Sequence, residues 1–188
     1  MMKTITDIEK LREVALDQHG YVTTGQAEEA GVTRNSAAAL ARRNRIERVC
    51  YGIYRIPQVA ETPYDEYELA VLWANAPEAA LGFETALDIY GVCDVNPTKI
   101  HVVVRKGHRV KRAGGERFEL HFQNVAPENI GWWQEIPIVK CACAIEQCIL
   151  GGTPEYLLRQ AIENAQVKRL VTREQADNLR KMLNGRIK

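Results

Sequence analysis

The stretch that most constrains this chain is Gly31–Ile56, GVTRNSAAALARRNRIERVCYGIYRI. It opens on a glycine turn, starts a helix at Thr33, runs through small residues, and closes on a short pattern bent at Gly52. Between Thr33 and Ile56 six arginines (34, 42, 43, 45, 48, 55) stand against one acid, Glu47. A short, basic, Ala-rich helix followed by a basic hairpin is what a winged helix-turn-helix needs in order to lie on DNA. At about 100° per residue, with Leu40 as the buried direction, Ser36, Ala37 and Asn44 project inward. Arg34, Asn35, Ala38 and Arg42 project to the opposite side. Arg suits guanine O6/N7, Asn suits adenine N6/N7, and an Ala methyl can meet the thymine methyl.

The segments on either side fit the same fold. Thr6-Asp7-Ile8-Glu9 has capping-box spacing, and Ile8, Leu11, Val14 and Ala15 give an apolar stripe up to about Gln18. Gly20 ends that helix, and Tyr21-Val22 is a short extended piece. Thr23 or Thr24 then caps a brief helix through Ala30, and Gly31 turns the chain into the recognition helix. In the wing, Ile46–Val49 and Ile53–Ile56 flank a bend in which Gly52 supplies positive φ. Arg48 and Arg55 are expected on phosphates, which fix register without reading sequence. Arg43 and Arg45 join the DNA-facing set.

Charge is segregated along the chain despite a net +1. Residues 61–94 carry eight acids and no Lys or Arg, whereas residues 99–117 carry seven basic residues and one acid. Such blocks create local fields, and only the basic ones suit nucleic acid. Pro57 and Pro63 bracket a polar linker, which sets the expected domains at 1–60 and 61–188. The expected fold class is α+β, a winged helix-turn-helix followed by a mixed α/β domain. In the second part the patterns predict helices over Asp65–Asn75, Phe83–Tyr90 and Cys141–Leu150. A further helix follows Thr153-Pro154, with Thr153 as cap, and a last one opens at Thr172-Arg173-Glu174-Gln175. Ile100–Val104, Phe118–Phe122 and Ile136–Val139 read as extended, and Gly131-Trp132-Trp133 as a loop whose rings pack.

No nucleotide-binding, metalloprotease or hydrolase signature is present, and the chain is read as no enzyme, with no cofactor. His101 and His121 lie in expected strands where structural hydrogen bonding outweighs catalysis. Five cysteines (50, 93, 141, 143, 148) lack framework spacing and read as free thiols without metal. The polar start MMKTITDIEK and the absence of a long apolar run point to a cytoplasmic protein away from membranes.

The chain resembles the AbiEi-type antitoxins of type IV toxin–antitoxin systems. The resemblance is carried by GYVTTGQAEEAGVTRNSAAAL and RIERVCYGIYRI, with Gly52 and Tyr54 in a closing G-x-Y. It continues in AALGFETALDIYGV, KIHVVV and AIEQCILGGTPEYLLRQAIENA. At Gln147 the family pattern leads one to expect an acid. The resemblance implies a first domain that binds inverted repeats in its own promoter and represses the operon. It implies a second domain that counters a nucleotidyltransferase-like toxin. The DNA role then falls on Thr33, Arg34, Asn35, Ser36 and Arg42, with Arg48 and Tyr51 from the wing. The segment holding Arg105, Lys106, Arg109, Lys111 and Arg112 is a candidate second contact, to DNA or to the toxin. Two other readings stand beside this one. A ligand-sensing regulator with no toxin predicts an enclosed apolar pocket in residues 61–188. A nuclease remnant predicts metal-dependent cleavage.

Overall fold

A computed structural model describes residues 5–110 and 112–186. Its fold is α+β, and the described chain forms two compact units. The N-terminal unit runs to Asn75 and also takes in Arg109–Gly115 and Gln134–Ile136; the C-terminal unit holds the remainder.

In the N-terminal unit the order is α1 (Asp7–Leu16), β1 (Tyr21–Thr23), α2 (Thr24–Glu29), α3 (Arg34–Arg42), β2 (Glu47–Cys50), β3 (Ile53–Arg55) and α4 (Asp65–Ala74). Two capping boxes fix the first helices: Thr6 with Glu9 starts α1, and Thr23 with Gln26 starts α2. Gly31 at φ +76° makes the turn between α2 and α3, a conformation that costs a residue with Cβ. The strands form an antiparallel sheet in the order β1-β3-β2, interrupted by a bulge between Arg48 and Cys50. Leu11, Ala15, Val22, Ala27, Val32, Ala37, Ile46, Tyr54 and Ile56 make one core beneath helices and sheet. Full burial of a side chain such as Leu11 or Ile56 contributes about 1.5–3 kcal/mol. That burial holds the short α3 in place.

The two compact units divide after Asn75, with 57–63 inside the first. A buried ion pair explains why α4 stays with the first unit. Arg55 Nη2 lies 3.3 Å from Asp65 Oδ2, and Asp65 Oδ1 accepts from Thr62 N–H and Oγ1. On the same side α4 anchors the 109–115 segment. Trp73 Nε1 donates to Ala113 C=O at 3.1 Å, and Arg112 donates to Leu72 C=O and Asn75 Oδ1.

The C-terminal unit contains β4 (Ala80–Leu81), α5 (Phe83–Tyr90), β5 (Ile100–Val104), β6 (Phe118–Phe122), β7 (Ile130–Trp133), β8 (Ile136–Val139), α6 (Cys141–Gly151), α7 (Glu155–Val167) and α8 (Arg173–Arg186). Its sheet has the order β6-β5-β4-β8-β7, with β4–β5 antiparallel and β5–β6 and β4–β8 parallel. α5 packs on α6 and β5, α6 on α7 and α8, and α7 on α8. Buried Cys141 and Cys148 lie on α6, where burial pushes both thiols up to about 12 and keeps them protonated.

Two expectations are corrected. Gly131-Trp132-Trp133 belongs to a strand and is no loop, because Gln134 and Glu135, both at positive φ, close a two-residue hairpin between β7 and β8. Trp132 is exposed. Thr153 does not cap α7. Pro154 is the N-cap, and the Thr153 hydroxyl donates to Glu84 Oε1 at 2.9 Å.

Candidate nucleic-acid interface

Thr33 starts α3 by accepting the Ser36 N–H at 3.1 Å, which leaves Arg34 and Asn35 in the first turn. Ala37 is the fully buried contact of this helix, and Leu40 and Ala41 pack against the core half-buried. Thr33, Arg34, Asn35 and Arg42 are exposed along the other face, with Ser36 half-buried. Arg43 and Arg45 are exposed just beyond it. Asn44 departs from the helical projection. The helix ends at Arg42, and Asn44, at φ +53°, turns out to solvent. Glu28 of α2 was not part of the expected set, yet it forks onto Arg34, with Nε–Oε1 at 2.8 Å and Nη2–Oε2 at 3.3 Å. That carboxylate raises the Arg34 pKa and aims its guanidinium. An exposed pair of this kind is readily exchanged for another acceptor.

The wing presents Arg48 and Tyr51. Tyr51 is 70% exposed, and the Arg48 guanidinium stacks 5.4 Å over its ring. Gly52 at φ +75° forms the bend, and its carbonyl accepts the Thr24 N–H, tying the wing to the start of α2. Arg55 does not belong to this surface. It is 7% exposed, and it donates to Ile56 C=O at 2.7 Å and to Val59 C=O at 3.0 Å, besides pairing with Asp65. The cause is topological. β3 is the central strand, so Arg55 lies between Tyr21 and Glu47, and its guanidinium stacks over the Tyr21 ring. A Cβ on Gly20 would collide with that guanidinium, which explains a glycine there.

The 105–112 segment is divided between the two units. Arg105 belongs to the C-terminal unit and pairs with Glu78 at 3.4 Å, and Lys106 is exposed beside it. Arg109 and Arg112 belong to the N-terminal unit, and Lys111 lies outside the described residues. Arg112 is half-buried against α4, with its guanidinium close to Gly52; burial raises the Cys50 pKa, and this guanidinium partly offsets the rise. It is therefore a positioning residue, and Arg109 is the exposed cation of the pair.

The C-terminal unit holds a different kind of site. His101 Nδ1 and His121 Nε2 are 3.0 Å apart, and Phe83 stacks on His121 with ring centroids 3.6 Å apart. Burial drives the His121 pKa down to about 4, helped by His101, so the ring is neutral at physiological pH. Phe83 holds φ +51°, a rare conformation for an aromatic residue. Gln147, 1% exposed, accepts the Phe83 N–H at 3.1 Å and donates to Gln123 Oε1 at 2.9 Å. Phe83, His121, Gln123 and Gln147 border an open cleft of about 430 Å³ lined also by Leu120, Phe122 and Leu150, without a charged side chain. The sequence put the two histidines in strands, but nothing local linked Phe83, Gln123 and Gln147.

A small antiparallel sheet under three helices, with an exposed basic third helix and a two-strand wing, is a winged helix-turn-helix. Residues 9–57, from α1 to just beyond the wing, match the family described as "Transcriptional regulator, AbiEi antitoxin". No curated protein matches the chain. Among solved structures the chain is similar to "Crystal structure of RV2827C protein from Mycobacterium tuberculosis". The identity is 16% over 92% of this chain and 79% of that one, with a TM-score of 0.46. A likeness of that degree transfers no function. Among the described residues no helix is long and apolar enough to cross a membrane.

Proposed function

We propose that this protein is an antitoxin and autorepressor of a type IV toxin–antitoxin operon, acting on duplex DNA through α3 and the wing. The observation that carries the reading is the exposed row Thr33, Arg34, Asn35 and Arg42 along α3, with Arg48 and Tyr51 presented by the wing. The family match over residues 9–57 supports it independently. Arg34 and Asn35 read base edges in the major groove. Arg42, Arg43, Arg45 and Arg48 hold phosphates, and Ser36 and Thr33 fix the start of the helix against the backbone. Inverted repeats in the promoter are the expected operator. Within the acidic 61–94 block, Asp65 and Glu78 are already paired with arginines.

The antitoxic role falls to the C-terminal unit, against a nucleotidyltransferase-like toxin encoded beside this gene. A second reading, a regulator that senses an uncharged ligand, would use the cleft at Phe83 and Gln147, which is open where that reading expects an enclosed pocket. Two measurements test them, and the second separates them. Fluorescence anisotropy of the full chain on promoter DNA should give strongly salt-dependent binding in both readings. Co-expression with the neighbouring toxin should restore growth only if the antitoxin reading holds. An absence of promoter binding at low salt would remove the operator function from both.

A further inference from the structure

β6 and β7 stand on opposite edges of the five-stranded sheet, so the chain between them, residues 123–129, has to cross it. The crossing is pinned at both ends. Gln123 N–H donates to Val104 C=O at 2.8 Å, and Asn129 C=O accepts the Lys140 N–H at 2.7 Å. Between the crossing and the sheet lies a cavity of about 440 Å³, a size suited to a small molecule. Ala80 of β4 and Val103 of β5, paired in register and almost fully buried, give it an apolar floor, and Val125 and Ile130 line it from the other side. It is more enclosed than the Phe83 cleft, and Gln123 alone lines both. The whole lining belongs to the C-terminal unit.

Four polar side chains border this cavity, and their hydrogen bonds leave only donors to spare. Gln123 Oε1 accepts from Gln147 Nε2 at 2.9 Å, and Asn124 Oδ1 accepts the Lys106 N–H at 3.0 Å. Each carboxamide thus has its oxygen engaged, while its amide N–H groups have no partner among the described residues. Arg105 lies with Nε 3.4 Å from Glu78 Oε1, which leaves its Nη1 and Nη2 without a partner among the described residues. Glu78 is the one carboxylate of the lining, and the Arg105 side chain and backbone N–H already hold it. A mouth of donors over an apolar floor selects a ligand that accepts at one end and is apolar at the other. A guanidinium fork matches the plane of a carboxylate. Arg105 and the adjacent Lys106, set against Glu78, leave one net positive charge, which suits a monoanion and would leave the second charge of a phosphate monoester unmatched.

We propose that the cavity beneath residues 123–129 binds a monocarboxylic acid with an apolar body. Arg105, Gln123 and Asn124 hold its carboxylate, and Ala80, Val103, Val125 and Ile130 receive its tail. The site is separate from the Phe83 cleft and needs neither operator nor toxin, so its failure and the failure of those readings are distinguishable.

Isothermal titration calorimetry on the full chain tests it, with circular dichroism as the fold control. The probes are hexanoate and phenylacetate, and each should bind saturably, one per chain. Acetate, which lacks the body, and hexanol, which lacks the charge, should bind at least about tenfold more weakly than hexanoate. Arg105→Gln, on an exposed rim position, should weaken hexanoate about tenfold and leave the weak binding of hexanol as it was. Val125→Trp fills this cavity without lining the Phe83 cleft, and should abolish binding of both acids. Arg173→Gln, which removes an exposed cation elsewhere, should change nothing. If neither acid binds at millimolar concentration, or if folded Arg105→Gln and Val125→Trp proteins bind hexanoate as wild type does, the proposal is overturned. Hexyl phosphate binding more tightly than hexanoate would overturn the assignment of the head group.

Discussion

In the N-terminal unit Arg34, Arg42, Arg43, Arg45 and Arg48 stand in solvent, while in the C-terminal unit His101, His121 and Gln147 turn into a half-closed or closed interior. The first arrangement costs little desolvation and suits a partner that brings its own dense charge, such as a phosphate backbone. The second makes each polar group depend on a specific neighbour, because a buried group left unpaired forfeits more than the bond itself returns. Cationic side chains in one unit thus face what lies outside the molecule. Polar side chains in the other hold the molecule together. Arg55 and, in part, Arg112 are exceptions that clarify the rule, arginines of the first unit used in the manner of the second.

Arg55→Ala should have the largest effect. Removing one partner of a buried ion pair costs about 3–5 kcal/mol, so urea unfolding should show a large loss, whereas Arg48→Ala should fall within about 0.5 kcal/mol of wild type. An Arg55→Ala protein that unfolds like wild type but loses DNA affinity would return Arg55 to the DNA surface. Next, Gln147→Leu strands the Phe83 N–H and the Gln123 carboxamide in the C-terminal unit, at about 1–3 kcal/mol. Its operator affinity should not change.

A smaller effect separates the units by pH. Burial, with Glu135 nearby, raises Glu68 of α4 from 4.5 to about 7. Between those values the folded unit keeps a proton that the unfolded chain has released, so its stability falls as pH rises through the window. His121 runs the other way. It titrates at about 4 instead of 6.5, so below pH 6.5 the unfolded chain takes up a proton that the fold refuses, and stability falls as pH drops towards 4. Glu68→Gln should remove the first trend, on the order of 1–2 kcal/mol between pH 5 and 8. Denaturant midpoints measured across that range check it. An unchanged pH profile in Glu68→Gln would place the titration elsewhere. The smallest effect is expected from Arg43→Ala, which should lower the salt slope of DNA binding by about one while leaving sequence preference intact.

Legibility in the sequence followed the range of the interaction. The capping boxes at Thr6 and Thr172 lie within four residues, as does the bend at Gly52, and all were readable, while the cap of α2 was narrowed to Thr23 or Thr24. The outward face of α3 was readable too, since helical period sets it, up to Asn44, where the helix has already ended. Arg55 was not. Its burial depends on β1 pairing beside β3 and on Asp65 ten residues on. β7 was hidden because Gln134-Glu135 takes the positive φ values usually signalled by Asn or Gly. β4 is two residues long and has no period to detect. The Phe83–Gln147–Gln123 bridge spans 64 residues in its longer arm, and no spacing rule reaches that far.

The most direct test of the central claim, that α3 reads DNA from its exposed face, is competition binding of Arg34→Ala to promoter and random duplexes at one salt concentration. The account predicts a loss of about tenfold to a hundredfold on the promoter, a smaller loss on random DNA, and hence relaxed discrimination. Unchanged affinity for both duplexes in a folded Arg34→Ala protein would contradict it.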